Sequence, residues 1–188
     1  MSDRNVPVVQ QWDFTEIRLV GPDRANPYVD VTLQADFALE HDRIAVDGFY
    51  DGNGTYVIRF MPGRQGVWSY TTRSNVAELD GQTGQIRCTA PAPGNHGPVR
   101  VAHTFHFQYA DSTPYRPIGT TCYAWTHQGE ALELQTLASL KSSPFNKIRM
   151  CVFPKRYAFN SNEPPLYPFQ GNPPRDWDFT RFNPAFWQ

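Results

Sequence analysis

The chain has 188 residues, of which 40% are hydrophobic, 14% aromatic and 19% charged, with a formal net charge of -1. This is enough apolar material for one or two cores, and the near-neutral balance excludes the basic footprint of a nucleic-acid or anionic-membrane binder. No apolar run approaches the length of a membrane span, and MSDRNVPVVQQWDF lacks an apolar signal core before a small-residue cleavage site, so a cytoplasmic protein is expected.

The first ninety residues read as short strands separated by turns. Trp12–Leu19 alternates, GPDRANPY breaks the pattern, and Val31–Leu39 alternates again with Val31, Leu33, Ala35, Phe37 and Leu39 on one face. Ile44–Tyr50 is followed by Asp51-Gly52-Asn53-Gly54. That tetrapeptide predicts a hairpin, because Asn-Gly and Asp-Gly tolerate the positive φ of a tight primed turn. Thr55–Phe60 then returns, Gly66–Thr72 alternates, and Gly84–Thr89 follows a turn at Leu79-Asp80-Gly81. Strands at this spacing predict an N-terminal antiparallel β-sandwich of Ig-like architecture over residues 1–93. Tyr56 and Trp68 are expected in its core or against a neighbouring domain rather than on a sugar platform.

Residues 94–98, preceded by Pro91-Ala92-Pro93, form a short Pro/Gly-rich linker, stiff enough to hold its neighbours in a fixed geometry. Beyond it, residues 99–188 change in pattern. Phe105–Tyr109 and Tyr115–Thr121 read as a strand and its return, and Glu130–Ser142 has helical periodicity with Leu134, Leu137 and Leu140 on one face. Lys147–Phe153 is a nearly continuous apolar run, as in a parallel strand covered on both faces. Strand, helix and strand make a βαβ unit. Pro154–Arg175 is irregular and Pro-rich, and Asn183-Pro184 predicts a helix start, since Pro is favoured at the first helical position. Trp-Asp-Phe-Thr occurs at Trp12–Thr15, opening a strand, and at Trp177–Thr180, leading into the expected helix. Cys88, Cys122 and Cys151 are isolated and without metal-ligand spacing, so buried thiols are expected, with no metal and no cofactor.

The runs YADSTPYRPIGTTCYAWTHQ, PFNKIRMCVFPK and WDFTRFNPAFW, together with GFYDGNGTYVIRFMP, GVWSY and GNHGPV, resemble the apiosidase-like group of (β/α)-barrel glycoside hydrolases. In that group a small Ig-like β-domain precedes the barrel. The resemblance implies that residues 99–188 are the first two β/α units of a TIM-type (β/α)8 barrel, truncated, since a complete barrel needs about 200 residues or more. It also implies two catalytic carboxylates at the ends of later strands, beyond this chain. Glu130, Glu133, Glu163, Asp176 and Asp178 match neither position, so no catalytic residue is assigned.

A carbohydrate substrate is the implied partner. Tyr123, Trp125 and His127 would sit at the barrel mouth and suit sugar C–H faces and hydroxyls, the competing reading being rim packing. Arg149 lies within an otherwise apolar strand, and the resemblance implies that it hydrogen-bonds the nucleophilic carboxylate; the competing reading is a structural ion pair. Lys155, Tyr157 and Asn160 open the long loop and are within reach of a substrate, or are simply solvated. The leading expectation is the N-terminal portion of a glycoside hydrolase, inactive alone. The alternative is a non-catalytic carbohydrate-binding or barrel-positioning β-sandwich module.

Overall fold

The computed structural model describes residues 6–153, 158, 161–172 and 175–187. The chain divides into two compact units, Met1–Tyr115 and Arg116–Gln188.

The first unit is β-rich. Its strands are β1 (Val8–Gln10), β2 (Thr15–Val20), β3 (Leu33–Leu39), β4 (Asp42–Gly52), β5 (Thr55–Phe60), β6 (Gly66–Ser74) and β7 (Thr83–Thr89), with a single helical turn, α1 (Pro27–Asp30), between β2 and β3. They form one sheet in the order β1-β7-β6-β3-β4-β5-β2. Every pair is antiparallel except β1 with β7, which is parallel. The two end strands, β1 and β2, are consecutive in the chain, so the sheet curls until its edges approach and is nearly closed.

The curl is centred on β4. Its residues from Asp42 to Asp47 pair with β3, and those from Gly48 onward pair with β5. Gly48 sits at the changeover, where a Cβ would lie 2.6 Å from Leu33 Cδ2. Only a residue without a side chain lets the strand approach the core this closely. The β4–β5 hairpin turns through Asn53 and Gly54, both at positive φ (51° and 70°), as the Asp-Gly-Asn-Gly signal requires.

Alternation on β3, β5, β6 and β7 delivers Leu33, Ala35, Phe37, Tyr56, Ile58, Phe60, Trp68, Ile86 and Cys88 to one buried cluster. Phe37 stacks on Phe60 with centroids 3.7 Å apart, and the Trp68 indole N–H donates to the Arg64 carbonyl at 3.0 Å. Tyr56 and Trp68 are therefore core residues. The strand expected from Trp12 begins only at Thr15, because Trp12 itself turns the chain at φ 65° and its N–H donates to Pro62 O.

A second sheet, β8 (Val99–Ala102), β9 (His106–Tyr109) and β10 (Pro114–Tyr115), clusters with this first unit, although residues 99–115 were expected with the second half. The linker is part of the reason. Gly97 packs so closely on the Trp12 ring and Ala110 that a Cβ would fall 2.6 Å from Trp12 Cδ2. His96 Nδ1 lies 2.7 Å from Asp111 Oδ2, fastening the linker to the β9–β10 turn.

The second unit contains β11 (Gly119–Thr121), a 3-10 turn (Trp125–His127), α2 (Glu130–Lys141), β12 (Lys147–Arg149), β13 (Phe169–Asn172), β14 (Asp176–Phe182) and α3 (Pro184–Trp187). β11 and β12 pair in parallel across α2, so the expected βαβ unit is present. The single return strand expected over Tyr115–Thr121 is instead two strands, β10 and β11, which pair with different partners. The second Trp-Asp-Phe-Thr, expected to lead into a helix, lies within β14, which pairs antiparallel with β13 inside the stretch read as irregular. Pro184 opens α3 as expected.

Burial departs from expectation here. β12 was read as doubly covered through Phe153, but it is three residues long and exposed. On α2, Leu134 and Leu137 are 57% and 44% exposed and Leu140 is half-buried, so the described residues leave most of the apolar stripe uncovered. No disulfide joins the three cysteines; Cys88 is buried, and Cys122 and Cys151 are half-buried. Among the described residues no helix is long and apolar enough to cross a membrane, and no group of three or more His, Cys, Asp or Glu side chains is placed to hold a metal ion.

Candidate functional site at the carboxyl ends of β11 and β12

Parallel strands direct their carboxyl ends to the same side, and loops leaving those ends carry function in α/β folds. In the second unit this side is held by a continued ladder. Thr121 is paired with Arg149, the Cys122 N–H donates to Arg149 O at 2.9 Å, and the Cys151 N–H donates to Tyr123 O at 2.9 Å.

The 3-10 turn is fixed from both sides. Thr126 Oγ1 donates to Cys151 O at 3.1 Å, and the Trp125 indole N–H donates to Glu133 O in the first turn of α2 at 3.2 Å. Gln128 Nε2 donates to Ala124 O, and Asn162 Nδ2 donates to Gln128 Oε1. The loop after β11 is thus tied to β12, to α2 and to the later chain.

Two of the predicted residues are brought together. The Arg149 guanidinium lies 5.0 Å from the centroid of the Tyr123 ring, in cation–π range. Trp125 is half-buried with its indole N–H already engaged. His127 is 2% exposed, and neither ring nitrogen has a hydrogen-bond partner among the described residues. Lys155, Tyr157 and Asn160 lie outside the described residues.

A cavity of about 290 Å³ opens beside Thr126, Glu133, Met150, Val152, Leu166 and Trp187. Of the predicted residues that are described, Tyr123, Trp125, His127 and Arg149, none lines it. Successive side chains on an extended segment point to opposite faces. Met150 shares the cavity with Glu133 of α2, so it faces the helix side, and Arg149 faces the side that α2 leaves uncovered. The cavity is a gap between strand and helix; the polar, strand-end face is that of Arg149 and Tyr123. Sequence reasoning missed the cavity residues because they come from the turn, the helix, the strand and α3, with no shared motif. Thr126, Glu133, Met150, Val152 and Trp187 lie within runs that the sequence singles out, but none of them is marked there as a site residue.

Two carboxylates of this unit, Asp178 and Glu163, are engaged by neighbouring side chains. Asp178 accepts hydrogen bonds from the Thr180 hydroxyl and N–H, which hold its carboxyl below the usual carboxylate range. Glu163 accepts from the Tyr167 hydroxyl at 2.9 Å. A carboxyl kept ionised by its partners is a poor proton donor.

The architecture defines a two-part chain, a curled β unit followed by a unit that opens with a parallel βαβ element. Residues 8–75 match the model of a family described as a domain of unknown function (DUF5060). A crystal structure from Bacteroides vulgatus ATCC 8482, described as a "putative glycoside hydrolase", is similar with a TM-score of 0.91 and 43% sequence identity. The match covers 96% of this chain and 37% of that one, so the chain spans little more than a third of its length. No curated protein matches the chain.

Proposed function

We propose that this chain is the N-terminal portion of a glycoside hydrolase of the apiosidase-like kind, in which an Ig-like β unit precedes a TIM-type barrel and residues 116–188 contribute the first two β/α units. The enzyme would hydrolyse O-glycosidic bonds in oligo- or polysaccharides. The observation that carries this reading is the placement of Arg149, on the uncovered face at the carboxyl end of a parallel strand with its guanidinium against Tyr123. The likeness to the Bacteroides structure supports it, as does the uncovered leucine face of α2, which a second layer of strands and helices would bury.

In the proposed mechanism two carboxylates from later strands flank the scissile bond around an oxocarbenium-like transition state. Arg149 donates to one of them, holding it ionised and oriented as the nucleophile. Tyr123 confines the guanidinium, and Trp125 forms part of the rim on which a sugar packs. His127, sealed by the turn, would reach a sugar hydroxyl only if the loop opens. Lys155, Tyr157 and Asn160 would contribute from the loop after β12.

The test is release of reducing sugar from plant oligosaccharides by the 188-residue chain and by a longer form that includes the remaining strands. The longer form is expected to hydrolyse and the 188-residue chain is not. Turnover by the 188-residue chain would overturn the assignment of the catalytic acids to later strands.

A further inference from the structure

The outer face of β2, β5 and β4 carries a built surface that the reaction above does not use. Ile17 and Leu19 of β2 and Tyr56, Ile58 and Phe60 of β5 pack inward. Phe14, Glu16, Arg18, Val57, Arg59 and Phe49 therefore fall on the opposite face. Arg59 stands at the centre. Its guanidinium lies 5.3 Å from the Phe14 ring centroid and 5.5 Å from that of Phe49. Its Nε and Nη2 donate to Glu16 Oε1 at 3.0 and 2.6 Å. Glu16 Oε2 accepts from Arg18 Nη2 at 2.7 Å, and Arg18 Nη1 donates to Asp51 Oδ2 at 3.2 Å.

Three properties of this face point to a ligand. First, it is ordered before anything binds. The chain of ion pairs fixes Arg59, and Val57 beneath it is fully buried although it lies outside the central core cluster, with Arg18 and Phe49 as its cross-strand neighbours. Second, the aromatic surface is open, with Phe14 56% and Phe49 41% exposed. Third, one polar handle is spare: Arg59 Nη1 makes no hydrogen bond among the described residues, and the side chain is 54% exposed.

Charge selects the class of ligand. Asp51, Arg18, Glu16 and Arg59 alternate in sign and neutralise one another. A polyanion would find no uncompensated cation here. A dry protein interface would have to bury four ionised groups, at a desolvation cost their attraction does not reliably offset. A neutral polyol strips no charge: its C–H faces lie on the phenylalanine rings and a hydroxyl accepts from Nη1.

We propose that Phe14, Arg59 and Phe49 form a binding site for a neutral polysaccharide chain, separate from the strand ends of the second unit. The choice of a sugar as the polyol rests on the function proposed above; the surface itself does not. The site would hold the polymer near the enzyme without cleaving it.

The experiment is native electrophoresis of the 188-residue chain through gels containing hydroxyethylcellulose, xyloglucan, glucomannan or arabinogalactan, with polygalacturonate as the anionic control. Retardation is expected in at least one neutral gel and not in the control. Phe49→Ala and Phe14→Ala are each expected to weaken binding by up to about tenfold, and the double variant to migrate freely, while Phe49→Tyr retains retardation. Both rings are exposed, so thermal melts of the single variants should match the parent; if the double variant does not fold, the single variants decide. Free migration in every neutral gel, retardation only by polygalacturonate, or retardation unchanged in the variants would each overturn the site. The hydrolysis assay does not read this surface, so either result stands without the other.

Discussion

Arg149 rests over the face of Tyr123 at 5.0 Å, joining the carboxyl ends of two parallel strands. The contact gives a cation on an exposed strand a defined position without an ion pair on the strand itself. In the longer enzyme, Arg149→Met is expected to reduce turnover by about 100-fold, the loss of a pair of charge-assisted hydrogen bonds, with the melting temperature unchanged. Tyr123→Leu is expected to cost up to about fivefold, the worth of an exposed cation–π contact. Steady-state kinetics beside thermal melts of both variants provide the check; unchanged turnover in a stable Arg149→Met enzyme would remove Arg149 from the mechanism.

Gly48→Val tests the turning point of β4. The added side chain would meet Leu33 Cδ2, Leu33 Cγ and Ile58 Cγ1 at 3.0 Å or less from its Cβ, and Leu33 and Ile58 are themselves buried. A loss of about 1–3 kcal/mol is expected, as for overpacking elsewhere, measured by denaturant unfolding of the 188-residue chain. A variant as stable as the parent would show that β4 can pass the core at a greater distance.

Glu16 predicts an acid limb of stability. Hydrogen bonds from Arg59, with support from Arg18, hold its carboxyl below the ordinary value of 4.5. A carboxyl that is more acidic when folded stabilises the fold at pH above its unfolded value, and that contribution disappears as pH falls through the folded one. Glu16→Gln should therefore melt below the parent at neutral pH, and the gap should close in acid. Parallel melting curves across an acid titration would show it; a constant gap would mean that Glu16 acts by packing alone.

His127 carries an imidazole with both nitrogens unpartnered in a buried position. Replacing it by leucine breaks no hydrogen bond seen among the described residues and removes a polar group from a buried site, which is neutral or stabilising. The expected result is a melting temperature for His127→Leu equal to or above that of the parent. A clear drop would reveal a buried partner, such as a bridging water.

The second unit alone is expected to unfold without a sharp transition. Leu134 and Leu137 of α2 are exposed, as is all of β12, so little apolar area is removed from water and cooperativity is weak. Calorimetry of residues 116–188 would test this, a single sharp endotherm being the contrary outcome.

The elements themselves were legible along the chain wherever the signal was local. Alternation marked β3 and β6, Asp-Gly-Asn-Gly marked the β4–β5 turn and with it the return strand β5, the leucine spacing marked α2, and Asn183-Pro184 marked α3. These follow from backbone geometry over a few residues, which sequence encodes directly. Pairing is not local. Tyr115–Thr121 looked like one strand because nothing in seven residues says that its first part will join β9 and its last part β12. The same four residues, Trp-Asp-Phe-Thr, turn the chain at Trp12 and extend it at Trp177, since the partner strand decides.

The candidate site divides in the same way. Arg149 and Tyr123 stood out in sequence, one as a charge in an apolar run and the other beside a strand end, but their contact needed the β11–β12 register. Burial of Lys147–Phe153 was read from hydrophobicity alone, whereas burial depends on what covers a strand, and here the described residues cover the segment only in part. Phe14, Phe49 and Arg59 gave no joint signal, being far apart in the chain. They meet because β4 changes partners at Gly48 and lays its second half beside β5. Sequence determined where this protein is strand, turn and helix; tertiary structure decided which side chains share a surface, because that depends on register and curvature summed over strands that are distant in the chain.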